Sequence, residues 1–90
     1  MTFDIRAVES ADEVVRCHRV VVQLRPHVAS AEEWVERWRR QAESGYRLLA
    51  AYDGGLVVAL SGYRIQENLV HGRFLYIDDL VTDQGPVIAL

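Results

Sequence analysis

Between Phe3 and Val8, apolar Phe3, Ile5 and Ala7 alternate with Asp4 and Arg6, the period of a β-strand. Ser10 then opens a helix, and Glu13 three residues on completes a capping box, in which each side chain meets the other's orphan backbone N–H. Ala11, Val14, Val15, His18, Val22 and Arg25 are expected on one face of this helix, which Pro26 ends because it cannot continue the hydrogen-bond ladder. A second capping box, Ser30 with Glu33, precedes a helical stripe of Ala31, Trp34, Val35, Trp38 and Ala42. Glu33–Arg37 and Glu36–Arg40 are i,i+4 pairs in the favourable order, and Gly45 is placed to leave the helix with a left-handed residue.

From Tyr46 the pattern turns to strands. Runs over Tyr46 to Tyr52 and Leu56 to Ile65 flank Asp53-Gly54-Gly55, a hairpin signal, because glycine accepts positive φ. A second turn is expected at Gln66-Glu67-Asn68, and a last strand over Arg73 to Val81. Leu48-Leu49, Val57-Val58 and Leu75-Tyr76-Ile77 put apolar groups on both faces, the pattern of a sheet covered on both sides. Two helices cover one face only. The order predicts a mixed α+β (α/β) fold, β-α-α-β-β-β, with an antiparallel meander.

Composition narrows the functional classes. Ninety residues make one small domain that buries only about two-thirds of its unfolded surface. A net charge of −3 disfavours a nucleic-acid or basic membrane-surface role. All ten basic residues are arginine, so lysine-based Schiff-base or phosphate-loop chemistry is excluded. The lone Cys17 has no internal disulfide partner, and no stretch nears the ~18 apolar residues of a membrane span, so a cytoplasmic location is expected. Cys17, His18, His27 and His71 lack metal-ligand spacing, and His18 is expected at the core edge. Trp34 and Trp38 are expected as core anchors with Arg37, Arg39 and Arg40 on the wet flank.

Asp78-Asp79 is the most informative polar feature, two carboxylates that follow Phe74-Leu75-Tyr76-Ile77 and precede Leu80-Val81-Thr82. On a regular strand adjacent side chains point to opposite faces, so at least one acid would meet a covered side. A desolvated carboxylate tends towards a raised pKa, which suits a general base. The alternatives are that the strand ends there or that an arginine pairs with the acid.

Leu24-Arg25-Pro26-His27, Gly45-Tyr46-Arg47-Leu48-Leu49-Ala50, Gly62-Tyr63-Arg64-Ile65, Glu67-Asn68-Leu69 and Gly72 through Asp83 together resemble the N-terminal half of the GNAT superfamily of N-acetyltransferases. The resemblance covers about residues 3 to 83, which implies a family domain over 1–83 and a divergent tail over 84–90. It implies acetyl-CoA as cofactor and a primary amine as acceptor. Asp78 or Asp79 would act as the base, and the backbone of Leu80, Val81 and Thr82 would pair with the pantetheine arm like an added strand. The family continues with an Arg-x-x-Gly-x-Gly/Ala turn into a helix that holds the pyrophosphate. Here the chain reads Gln84-Gly85-Pro86-Val87-Ile88-Ala89-Leu90 instead. The chain is therefore expected to be truncated before that loop and impaired as an enzyme. The alternative is a non-catalytic module, a homodimer joined through the exposed sheet or its edge strand, to which Val87 to Leu90 adds an apolar run.

Overall fold

The computed structural model describes residues 3–83 and 85–86. Strand β1 (Asp4–Val8) is followed by helices α1 (Ala11–Leu24) and α2 (Ala31–Ala42), then by β2 (Arg47–Asp53), β3 (Leu56–Asn68), β4 (Gly72–Thr82) and the two-residue β5 (Gly85–Pro86). All strands join one antiparallel sheet in the order β1-β2-β3-β4-β5. The predicted α+β class and meander are what the structure has. β1 lies beside β2, Asp4 opposite Tyr52 and Val8 opposite Leu48.

Both helices start as their capping serines require. Ser10 Oγ accepts from Glu13 N at 3.3 Å, and Ser30 Oγ from Glu33 N at 3.1 Å. The reciprocal bonds fall one residue earlier than the standard box: Glu13 accepts from Glu9 N, and Glu33 from Ala29 N. α1 stops at Leu24, two residues before Pro26. The face of α1 differs from the expected one. Val14, Cys17, Val20 and Val21 are buried, whereas Val15 is 47% exposed. Valines and Cys17 leave most of this helix apolar, so periodicity alone does not choose the face; the sheet does. Trp34 is buried, and Trp38 is half-buried against the core.

Both helices pack on one face of the sheet, over Leu48, Ala50, Tyr52, Val57, Leu60 and Val81. The β2–β3 hairpin closes through Gly54 (φ 59°) and Gly55 (φ 91°) with Asp53 opposite Leu56, as its sequence predicts. The second turn is not at Gln66-Glu67-Asn68. Those residues continue β3, and the chain reverses over Leu69-Val70-His71, where Asn68 Oδ1 accepts from Val70 N and His71 N. The Asn68 side chain builds the turn, so the loop itself needs no polar residue. The other sheet face carries Ile5, Leu49, Ala51, Ala59 and Leu80 along a shallow groove of about 230 Å³. The run from Val87 to Leu90 lies outside the described residues. No helix among the described residues is long and apolar enough to cross a membrane.

Candidate active site

The site is built around an irregularity in β4. Gly62 pairs with Asp79 and Tyr63 with Ile77, so Asp78 is an extra residue in β4, a β-bulge. The bulge breaks the alternation expected at the two aspartates, and both carboxylates contact partners on the helix-covered side. Neither is a lone desolvated acid: an arginine pairs with each, the alternative left open by the sequence.

Asp79 Oδ1 accepts from Arg25 Nε at 2.9 Å, and its Oδ2 accepts from the Tyr46 hydroxyl at 2.7 Å. Asp78 Oδ2 accepts from Arg64 Nε at 3.1 Å, while its backbone carbonyl accepts from Arg25 Nη2 at 3.2 Å. Arg64 also donates to Gln41 Oε1 and to Ser44 O at the end of α2, and its guanidinium sits 5.3 Å from the Tyr46 ring centroid. Local structure explains how these groups arrive. Arg25 caps α1 where Pro26 forces the helix to end, which aims it at β4. Gly45 (φ 91°) turns the chain after α2 and delivers Tyr46 to the sheet. Burial, and next to it the Asp79 carboxylate, push the Tyr46 phenol well above its usual range, so it stays a neutral donor.

Arg25, Gln41, Tyr46 and Arg64 were not singled out as site residues by the sequence. Their partners lie 14 to 54 residues away, beyond the reach of helical or strand spacing. Signals existed only in the breaks that place them, Pro26 and Gly45. His18, as expected, sits at the core edge, half-buried with Nε2 donating to Val28 O at 2.8 Å.

Leu80, Val81 and Thr82 follow the bulge. Val81 is fully buried, and the edge at Val81 and Thr82 is paired with Pro86 and Gly85 of β5. Asp83, just beyond, is fixed by Arg19 at 3.1 Å, by Gln23 at 3.2 Å, and through its N–H to Val58 O at 2.8 Å. A separate cavity of about 490 Å³ lies between α2 and the start of β2, lined in part by Glu9, Trp38, Ala42, Tyr46, Leu48 and Tyr63. Neither aspartate lines it; Tyr46 alone belongs to both features. Among the described residues no three His, Cys, Asp or Glu side chains gather as a metal site.

The strand order, with both helices on one face of the sheet, is a fold shared with two solved acetyltransferase structures. The chain superposes on glucosamine-6-phosphate N-acetyltransferase from Arabidopsis thaliana with a TM-score of 0.67 at 18% identity, over 92% of this chain and 61% of that one. It is also similar to a predicted acetyltransferase with acetyl-CoA from Clostridium acetobutylicum, with a TM-score of 0.60 at 14% identity, over 90% of this chain and 60% of that one. At these identities the likeness is one of fold, and the chain spans less than two-thirds of either structure. No protein-family profile and no curated protein sequence matches it.

Proposed function

We propose that this chain is an acetyl-CoA-dependent N-acetyltransferase fold directed at a primary amine, and that the pairing of β5 on the β4 edge impairs its acetyl-CoA binding. The observation that carries the reading is the bulge: in a fold shared with two acetyltransferases, it brings Asp78 and Asp79 to one face beside the β4 segment Leu80 to Thr82. An amine is a nucleophile only when neutral, and a carboxylate within direct or one-water reach of its ammonium form takes up the proton.

The described residues do not fit acetyl-CoA in full. The Val81–Thr82 edge, the place for a pantetheine arm in this reading, is already occupied by Gly85–Pro86. That supports impairment. A cytoplasmic location is part of the same proposal, since Cys17 is buried as a free thiol.

The test is acetyl-CoA titration of the isotope-labelled chain, followed at the amides of Leu80, Val81 and Thr82. Millimolar, saturable shifts are expected. A micromolar dissociation constant overturns the impairment, and no shift at millimolar acetyl-CoA overturns the acetyltransferase reading.

A second reading, a self-associating module, is favoured by the apolar groove on the uncovered sheet face.

A further inference from the structure

We infer that the two adjacent aspartates have divided roles: Asp79 is a strut that holds the bulge closed, and Asp78 is the carboxylate presented to the ammonium group of an acceptor. The second half rests on the acetyl-transfer reading above; the first stands on contacts alone.

Asp79 has no idle oxygen. Arg25 engages Oδ1 and Tyr46 engages Oδ2, with the side chain only 14% exposed. A ligand approaching it meets two oxygens each already engaged by a donor, with little of the side chain left exposed. Asp78 differs at each point. Its Oδ2 is held by Arg64, its side chain is 25% exposed, and no described residue donates a hydrogen bond to its Oδ1. A carboxylate oriented through one oxygen and open at the other suits a small cation with N–H donors, which is what a primary ammonium is.

Arg25 ties the two roles together. Its Nε holds the Asp79 carboxylate and its Nη2 the Asp78 carbonyl, so one guanidinium clamps both residues of the bulge. Tyr46 is then a positioning residue: it acts on Asp78 only by keeping Asp79, and hence the bulge, in place.

Two measurements on the full chain test this without requiring turnover. The first is carbodiimide coupling of glycine ethyl ester to the folded protein, resolved residue by residue by mass spectrometry. Asp78 should label several-fold faster than Asp79. Tyr46→Phe, checked for folding by circular dichroism, should raise labelling at Asp79 by a larger factor than at Asp78, which Tyr46 reaches only through the bulge. The second is titration of carboxyl-¹³C-aspartate protein with ethylammonium chloride against sodium chloride, where the Asp78 signal should move saturably and the Asp79 signal should not. Equal labelling, or faster labelling of Asp79, overturns the division of roles. Preferential labelling of Asp78 with no response to ethylammonium leaves the strut in place and overturns the amine-acceptor assignment.

Discussion

The Tyr46 hydroxyl reaches Asp79 by passing over Gly62: a Cβ built on that glycine would stand 2.1 Å from the Tyr46 oxygen and 2.6 Å from its Cζ. Gly62 pairs with Asp79 in the sheet, so the residue lacking a side chain sits opposite the acid that Tyr46 must reach. Its φ is not positive, so steric room and not backbone freedom is what the position requires. Close approach of one group to another backbone is a recurrent use of glycine within a strand.

Gly62→Ala is therefore expected to displace Tyr46 and break its bond to Asp79. Overpacking of this kind costs about 1–3 kcal/mol, with the lost hydrogen bond added to it. Urea denaturation measures the loss. A change within about 0.5 kcal/mol, the range of an ordinary surface substitution, would show that Tyr46 moves aside freely.

Cys17, Tyr46 and Tyr52, each raised first of all by burial, contribute to the alkaline limb of stability. Burial, and secondarily Glu13, push the Cys17 thiol up to about 12, whereas an unfolded thiol titrates near ~8.5. A raised folded pKa gives stability that is complete below the unfolded value and lost as the pH rises towards the folded one. Melting temperature should therefore fall from about pH 8.5 upward. Tyr46 adds to the fall above about pH 10, since burial and Asp79 raise its phenol in the same sense. Cys17→Ala should remove the earlier part of the decline. A melting temperature that stays level up to about pH 10 would contradict the assignment.

How far these features were legible in the sequence follows the range of the interactions behind them. Helix starts at Ser10 and Ser30 were readable because a cap and its partner lie three residues apart. The Gly54-Gly55 turn was readable because positive φ leaves a local composition mark. The buried face of α1 was not, because Val14, Val15, Val20, Val21 and Val22 look alike until the sheet selects among them. The Leu69-Val70 turn was hidden because the residue that builds it, Asn68, lies at the end of β3. At the site, Asp78 and Asp79 were identifiable as an unusual pair, but their disposition depends on a bulge set by pairing with β3. The arginines that meet them come from the end of α1 and from β3, a tertiary fact with no local signature.

Acid titration tests the capping boxes. The Ser10 side-chain hydrogen bond, followed by the Glu9 N–H, lowers the Glu13 pKa, and the Arg37 hydrogen bond, followed by the Ala29 N–H, lowers that of Glu33. Lowered folded values give stability that is present above the unfolded carboxylate pKa of about 4.3 and lost as the pH falls through the folded value. Ser10→Ala should cost about 1 kcal/mol at neutral pH. It should also lose less stability than the parent protein on acidification, because the largest cause of the Glu13 shift has been removed. Parallel acid profiles for the two proteins would refute the link between cap and carboxylate.

The uncovered face leads to the last prediction, that the chain forms a twofold dimer in solution. Ile5 is 68% exposed and Leu75 is 55% exposed. By strand alternation and register, Ile5, Leu49, Leu80, Ile65, Leu75 and Ile77 lie on the face opposite the helices. β5 pairs only with Val81 and Thr82, so Gly72 to Leu80 have no strand partner on that edge among the described residues. A long edge with apolar residues is a template for pairing, and an apolar face of this extent is uncommon on a soluble monomer. An isologous contact consumes the face and the edge of both copies and leaves no free end to propagate. A standard interface removes about 800 Å² per partner, and mainly apolar burial at about 25 cal/mol per Å² exceeds the cost of lost rigid-body freedom when the fit is good. Sedimentation equilibrium at micromolar concentrations should show a dimer. Ile5→Lys with Leu75→Lys should return a folded monomer, since both side chains are exposed and their replacement leaves the helix-covered core intact. A cooperative monomer at every concentration, with no uptake of a hydrophobic dye, would show that the chain covers this face by itself and that the prediction is wrong.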